Sequence, residues 1–318
     1  MTEQEIVKGM TTYIRGKVRP HIGSWLGRSV TGTAESGDAT FAIDDIAEEA
    51  IIEFIRSNEL SVAYYSEDKG LIKFGPAPKA VLVIDPIDGT RPALAGFEQC
   101  VVAVSWSEYT TNVTMGNVRH ACVAELKHDD LFLATRGQGS LWINKAGQQT
   151  PLRLLQTQQL SNAPLSFEAV GRPFEYLGVA LGEIIDTAAM RGGCFLYSST
   201  AYSLTRLLTG QLSAVIDVGA RILRDHPWTR DRFLSIGQGK AIGLFTYDIA
   251  AAALIASEAG AIVTDAYGGD FSEIPLLDTS ESNLQTICAA TTPELHAQIL
   301  ASVEKGVDRL RRPGHADH

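Results

Sequence analysis

The chain has 318 residues, 45% hydrophobic and 20% charged, which suits one large α/β unit or two lobes sharing an interface. A net charge of −10 leaves no basic excess to displace phosphate counterions, which argues against a nucleic-acid polymer or an anionic membrane as partner. A small anionic substrate needs only a local site and stays open. The four cysteines (Cys100, Cys122, Cys194, Cys288) form no C-x-x-C pair, so neither structural zinc nor a disulfide framework is expected. The N-terminus lacks a basic stretch followed by an apolar one, and no apolar window reaches about 18 residues. A soluble, cytoplasmic protein is expected.

Helical spacing of Ile43, Ala47, Ile51, Phe54 and Ile55 predicts a helix over 40–57, with Asp45, Glu48 and Glu49 toward water. A short strand at 61–65 leads into Ser66-Glu67-Asp68 and a Gly/Pro-rich connection through Pro78. The apolar run that follows ends in Asp85-Pro86-Ile87-Asp88-Gly89-Thr90. Strands at 100–106 and 121–126, then a hairpin of 131–135 with 141–143, read as an antiparallel meander. From Asn162 the pattern changes to alternating elements. These are strands at 195–197, 214–218, 262–264 and 286–290, and helices at 201–209, 249–258 and 293–305. The division expected is an N-terminal α+β lobe (1–162), a C-terminal α/β lobe (163–305) and a fraying polar tail (306–318). No internal repeat is present.

The string from Asp85 to Thr90 carries the chemistry. Two carboxylates three apart at a strand end suit hard cations, and the Gly89-Thr90 N–H groups suit an anion. The Thr90 hydroxyl can orient a water. A strand followed by an ordinary polar turn explains the same six residues, so alone they leave both readings open. Glu67 by itself reads as a strand-end acid, Asp44 as a charge on a solvated face, and Asp248 as an acid at the positive end of a helix.

Taken in order, Ser66-Glu67-Asp68, Asp85-Pro86-Ile87-Asp88-Gly89-Thr90 and Tyr247-Asp248-Ile249-Ala250-Ala251-Ala252 with Glu258-Ala259-Gly260-Ala261 resemble one family. That family is the inositol monophosphatase superfamily of Mg²⁺-dependent, lithium-sensitive phosphatases, including members acting on fructose 1,6-bisphosphate and nucleoside 3′,5′-bisphosphates. Asp38 to Asp44 is similar to its D-x-V-T-x-x-D string. The resemblance implies a layered α-β-α-β-α sandwich. It implies that Glu67, Asp85 and the Ile87 carbonyl hold one Mg²⁺, and that Asp85, Asp88 and Asp248 hold a second. A third, weaker ion on Glu67 and substitution by Mn²⁺ are also implied. Gly89 and Thr90 would bind phosphate, Thr90 with Glu67 would position the attacking water, and Asp44 would support Thr90. Ser199 and Asp217 would contact the substrate. A homodimer is the family habit.

The chain departs from the pattern in places. Arg91-Pro92-Ala93 stands where Thr-Asn-Phe is common, and Arg91 reads as facing either an anion or water. No lysine occurs in 31–36, Tyr247 replaces a Trp, and Ser198 replaces the Gly before Ser199. Residues 219–246 form an insertion with five basic and two acidic residues, read as either a solvated loop or a fold-over element. In the second reading Arg221 or Arg224 approaches a second anionic group of the substrate. Inositol 1-phosphate is the default substrate, with fructose 1,6-bisphosphate or a nucleoside 3′,5′-bisphosphate as alternatives. Two rivals are a haloacid-dehalogenase-type phosphatase with Asp85 as covalent nucleophile, and a non-catalytic relative.

Overall fold

The computed structural model describes residues 1–34 and 37–310. Helix α1 (Glu3–Val18) opens the chain, followed by the hairpin β1 (Val30–Thr33) and β2 (Ala39–Phe41), then α2 (Ala42–Ser57). Strands β3 (Ala63–Ser66), β4 (Gly70–Lys73) and β5 (Ala80–Asp88) lead to the short α3 (Thr90–Ala95). Next come β6 (Val101–Glu108), β7 (Val118–Glu125), β8 (Leu131–Thr135), β9 (Ser140–Ile143) and β10 (Gln149–Thr150). The second half contains β11 (Leu165–Phe167), α4 (Phe174–Ala188), β12 (Cys194–Phe195), α5 (Thr200–Leu208) and β13 (Ala214–Asp217). It ends with α6 (Gly219–Asp225), α7 (Arg230–Ile236), α8 (Thr246–Glu258), β14 (Ile262–Thr264), β15 (Ile287–Ala290) and α9 (Pro293–Asp308).

Eight strands form one sheet in the order β10-β9-β8-β7-β6-β5-β3-β4, and five form another in the order β12-β11-β13-β15-β14. The meander from β5 to β10 is antiparallel, while β3 pairs with β5 in parallel. Period-2 alternation decides what each face meets. On β5, Leu82 and Ile84 pack with Ile6, Met10, Ile43 and Ile51 of α1 and α2. Val81 and Val83 face the other way, into a core shared with α5, α8 and the second sheet. Helices α4 and α9 pack together, with α9 against β15, which completes an α-β-α-β-α sandwich.

Sequence chemistry explains the elements that place the site. Helix α8 is apolar on nearly every side because it lies between two sheets, and its alanines allow close approach. Helix α9 starts with Thr292 as N-cap and Pro293 in its first turn. Strand β5 is buried throughout, and its pairing with β6 is irregular between Asp85 and Asp88. That irregularity ends the regular ladder where the two carboxylates emerge.

Four expectations need correction. Glu48, expected toward water, is buried and accepts from the Ser66 and Tyr64 hydroxyls. Residues 219–246 are not one loop, because α6 and α7 lie within them. Helix α9 runs to Asp308 and so takes in the first three residues of the expected tail, and residues 311–318 lie outside the described residues, as do Glu35 and Ser36. Helices α1 and α4 were not expected from the pattern. The first is announced by a capping box: the Glu5 N–H donates to Thr2 Oγ1 and the Thr2 N–H donates to Glu5.

Candidate active site

A cleft of about 640 Å³, counting its open mouth, lies where the ends of the two sheets meet. The end of β5 supplies Asp85, Ile87 and Asp88, the turn after β3 supplies Glu67, and the first turn of α8 supplies Asp248. The turn after β5 brings Gly89 and Thr90 to the same wall. Gly89 has φ +91°, and a Cβ there would stand 2.4 Å from the Gln99 carbonyl oxygen. Only glycine fits that turn without displacing backbone.

Asp85, Asp88 and Asp248 are each fixed by a backbone N–H. Asp85 accepts from the Ile87 N–H at 3.1 Å, and Asp248 from the Phe245 N–H at 2.6 Å. Asp88 accepts from the Ala201 N–H at the start of α5, while the Ser199 hydroxyl donates to the Asp88 carbonyl at 3.3 Å. Ser199 also N-caps α5 by accepting from the Tyr202 N–H at 3.3 Å. One element of the second sheet's layer thus holds a carboxylate carried by the first sheet. The Thr90 hydroxyl lies 3.1 Å from the Ile87 carbonyl and 3.3 Å from Asp44, which itself accepts from the Phe41 N–H at 2.8 Å.

Crowding of acids sets the electrostatics. Burial, then the neighbouring Asp88, Asp248 and Glu67, hold the Asp85 carboxyl well above the usual range. Burial followed by Asp248 does the same for Glu67, and burial followed by Asp88 for Asp248. Burial raises Asp88 to about 6 against the backbone N–H groups that favour its anion, and raises Asp44 to about 7. Among the described residues no three His, Cys, Asp or Glu side chains are already closed into a metal-holding group. The donor chemistry nevertheless fits hard cations: four carboxylates and a carbonyl, all oxygen, line one cleft and repel one another. Glu67, Asp85, Asp88, Asp248 and the Ile87 carbonyl are the residues that would hold them.

Several residues singled out in the sequence lie elsewhere. Arg221 is buried, donating to Asp225, Glu304 and the Ala266 carbonyl, and it does not line the cleft. Arg224 donates to the Leu284 carbonyl and is also outside it. Contacts with α9 and the 265–268 turn hold Arg221, and the Leu284 carbonyl holds Arg224, away from the expected second anion. Asp217 is fully buried behind the cleft wall, held by Arg172 and by the Gly219 N–H at 2.7 Å. Arg91 lines the cleft but is engaged in a two-pronged ion pair with Asp38 at 2.6 and 2.9 Å. Among the lining residues that carry no motif are Val170, Ile242, Gly243 and Leu244 and two charged ones, Glu168 and Arg172, in the segment after β11.

The family model described as "Inositol monophosphatase family" matches residues 3–308. The chain belongs to the inositol monophosphatase family. It is an enzyme of the phosphoric monoester hydrolase class. One relative is the fructose-1,6-bisphosphatase/inositol-1-monophosphatase of Methanothermobacter thermautotrophicus, 25% identical over 301 residues, covering 93% of this chain and 94% of that protein. Another is the Nus factor SuhB of Vibrio cholerae, 27% identical over 234 residues, with 74% of each chain covered. The fold matches that of a Thermotoga maritima IMPase with a TM-score of 0.67 at 18% identity, over 94% of this chain and 96% of that one.

Proposed function

We propose that this member hydrolyses a small sugar or polyol phosphate monoester with Mg²⁺ in the cleft, inositol 1-phosphate being the first substrate to test. The observation that carries the reading is the convergence of Glu67, Asp85, Asp88 and Asp248 from two sheets on one cleft beside Gly89 and Thr90. Bound divalent cations would supply charge neutralisation at the phosphoryl oxygens and a more acidic water. The chain's own residues do the positioning. The Thr90 hydroxyl spends its single proton on Ile87 or Asp44, so its lone pairs accept from a water and aim that water's oxygen at phosphorus. Glu67, on the same wall, takes the proton the water gives up. No side-chain nucleophile is needed, which separates this site from an aspartyl-phosphate mechanism.

Magnesium as the working ion, a third ion at Glu67, a homodimeric state and a cytoplasmic location belong to the same proposal, supported by the family to which the chain belongs. The deciding experiment is phosphate release from inositol 1-phosphate, fructose 1,6-bisphosphate and a nucleoside 3′,5′-bisphosphate, each with Mg²⁺, with Mn²⁺ and with chelator. Release that depends on the cation is the expected result. Release in chelator, or covalent capture of an aspartyl-phosphate mimic at Asp85, would overturn it.

A further inference from the structure

The wall facing the phosphate motif is formed by the segment that follows β11. Glu168 is fixed at the strand end by its N–H, which donates to the Ile216 carbonyl at 3.0 Å. Glu168 and Arg172 are 4% and 6% exposed, and both line the cleft. Each keeps one buried polar atom with no hydrogen-bond partner among the described residues: Oε1 of Glu168 and Nε of Arg172. The other nitrogens of Arg172 donate to Asp217 and to the Val170 carbonyl. Leaving a buried polar group unsatisfied costs about 1–3 kcal/mol, so these two lining residues hold polar capacity that the described residues leave unused. Gly219 makes the arrangement possible, because a Cβ there would lie 2.7 Å from the Arg172 side chain.

Charge accounting then selects the ligand. Arg172 is matched by Asp217, and Arg91, the other arginine in the cleft, is matched by Asp38. Both cations on the wall are already neutralised. Burial raises the Glu168 carboxyl to about 8, so it adds no positive charge and at higher pH adds a negative one. A second phosphate would meet no surplus cation here, and three carboxyl groups would stand close to it. A hydroxyl suits the pair instead, since it can accept from a guanidinium N–H and exchange a hydrogen bond with a carboxyl group.

We propose that Glu168 and Arg172 are the specificity-determining residues for the leaving group, and that this group is a polyhydroxylated alcohol with no second anionic substituent on this side. The inference rests on the reading of the cleft as a phosphatase site. The test compares kcat/KM for inositol 1-phosphate, fructose 1,6-bisphosphate and p-nitrophenyl phosphate in the wild type and in Glu168→Leu, Glu168→Gln and Arg172→Lys. The wild type prefers inositol 1-phosphate to the bisphosphate. In Glu168→Leu the ratio of polyol to aryl phosphate falls roughly 10- to 150-fold, mainly through KM, and the amide of Glu168→Gln restores part of it. The thermal shift produced by inorganic phosphate with Mg²⁺ stays in the wild-type range in Glu168→Gln, because the phosphate half of the cleft is untouched. If Glu168→Leu does not fold, the Gln and Lys variants carry the same comparison. Equal losses on polyol and aryl phosphate overturn this proposal alone. So does a wild-type preference for the bisphosphate that Arg172→Lys abolishes, which would mark an anion subsite. A wild type that cleaves no phosphate ester overturns the phosphatase reading itself.

Discussion

Asp88 shows how much a single residue joins in this fold. It leaves the end of β5, lines the cleft, and is held by the first N–H groups of α5, 113 residues away in the chain. Asp88→Asn or Asp248→Asn keeps shape and hydrogen bonding while removing a ligand charge, so turnover should fall by orders of magnitude with the melting temperature retained. Near-wild-type turnover in either variant would contradict the metal-holding role. Thr90→Ala should lower kcat while the Mn²⁺ affinity read by calorimetry changes little, since its hydroxyl orients water and does not carry ligand charge. The motif residues were legible in sequence because strand, carboxylates, glycine and threonine are contiguous from 81 to 90. Glu168 and Arg172 were not. The position of Arg172 depends on Asp217, 45 residues away, and no local spacing encodes that contact.

Among the elements, α6 and α7 differ most from expectation. Each has only seven residues, too few for a helical period to stand out, and neither has a side-chain N-cap. Their basic residues look like an anion-binding excess in one dimension, yet three dimensions match three of the four arginines with acids and give Arg224 a backbone carbonyl. Arg221 meets Asp225 and Glu304, Arg230 meets Glu281, and Arg232 meets Glu175. Arg221→Met should therefore lower the melting temperature by unfastening α6 from α9, while KM for mono- and bisphosphates stays within about twofold. A selective rise in KM for a bisphosphate would restore Arg221 to the substrate site. Gly219→Ala, at the first residue of α6, should instead act on the cleft, because the added methyl displaces Arg172. Its signature is a rise in KM for the polyol phosphate larger than that for p-nitrophenyl phosphate.

At the scale of the whole molecule, buried acid is the dominant electrostatic fact. Glu168 is raised to about 8, Asp44 and Glu48 to about 7 and Asp88 to about 6, chiefly by burial. The folded state thus keeps protons that the unfolded chain releases near pH 4 to 4.5. The stability these groups contribute is fully present below that range and is lost as pH rises through their folded values. In chelator the melting temperature should fall between pH 5 and pH 8. Added Mg²⁺ binds the deprotonated set, so its stabilising increment should be larger at pH 8 than at pH 5. A flat profile in chelator, or equal increments at both pH values, would contradict the account. The layered architecture itself was legible through the family resemblance that the order of motifs carries. The edges of the elements, set by caps and by contacts across the core, were less so.

The cleft draws its acids from residues 67, 85 and 88 on one side and from residue 248 on the other, with α5 clasping Asp88 between them. Such a site cannot exist in either half of the chain. The fourth acid is in place only where α8 lies between the sheets. Cation affinity should therefore track whether α8 is docked between the sheets. A chain paused before α8 docks would hold a cluster of acids with no cage, and a divalent ion would bind it weakly until the sandwich is shut.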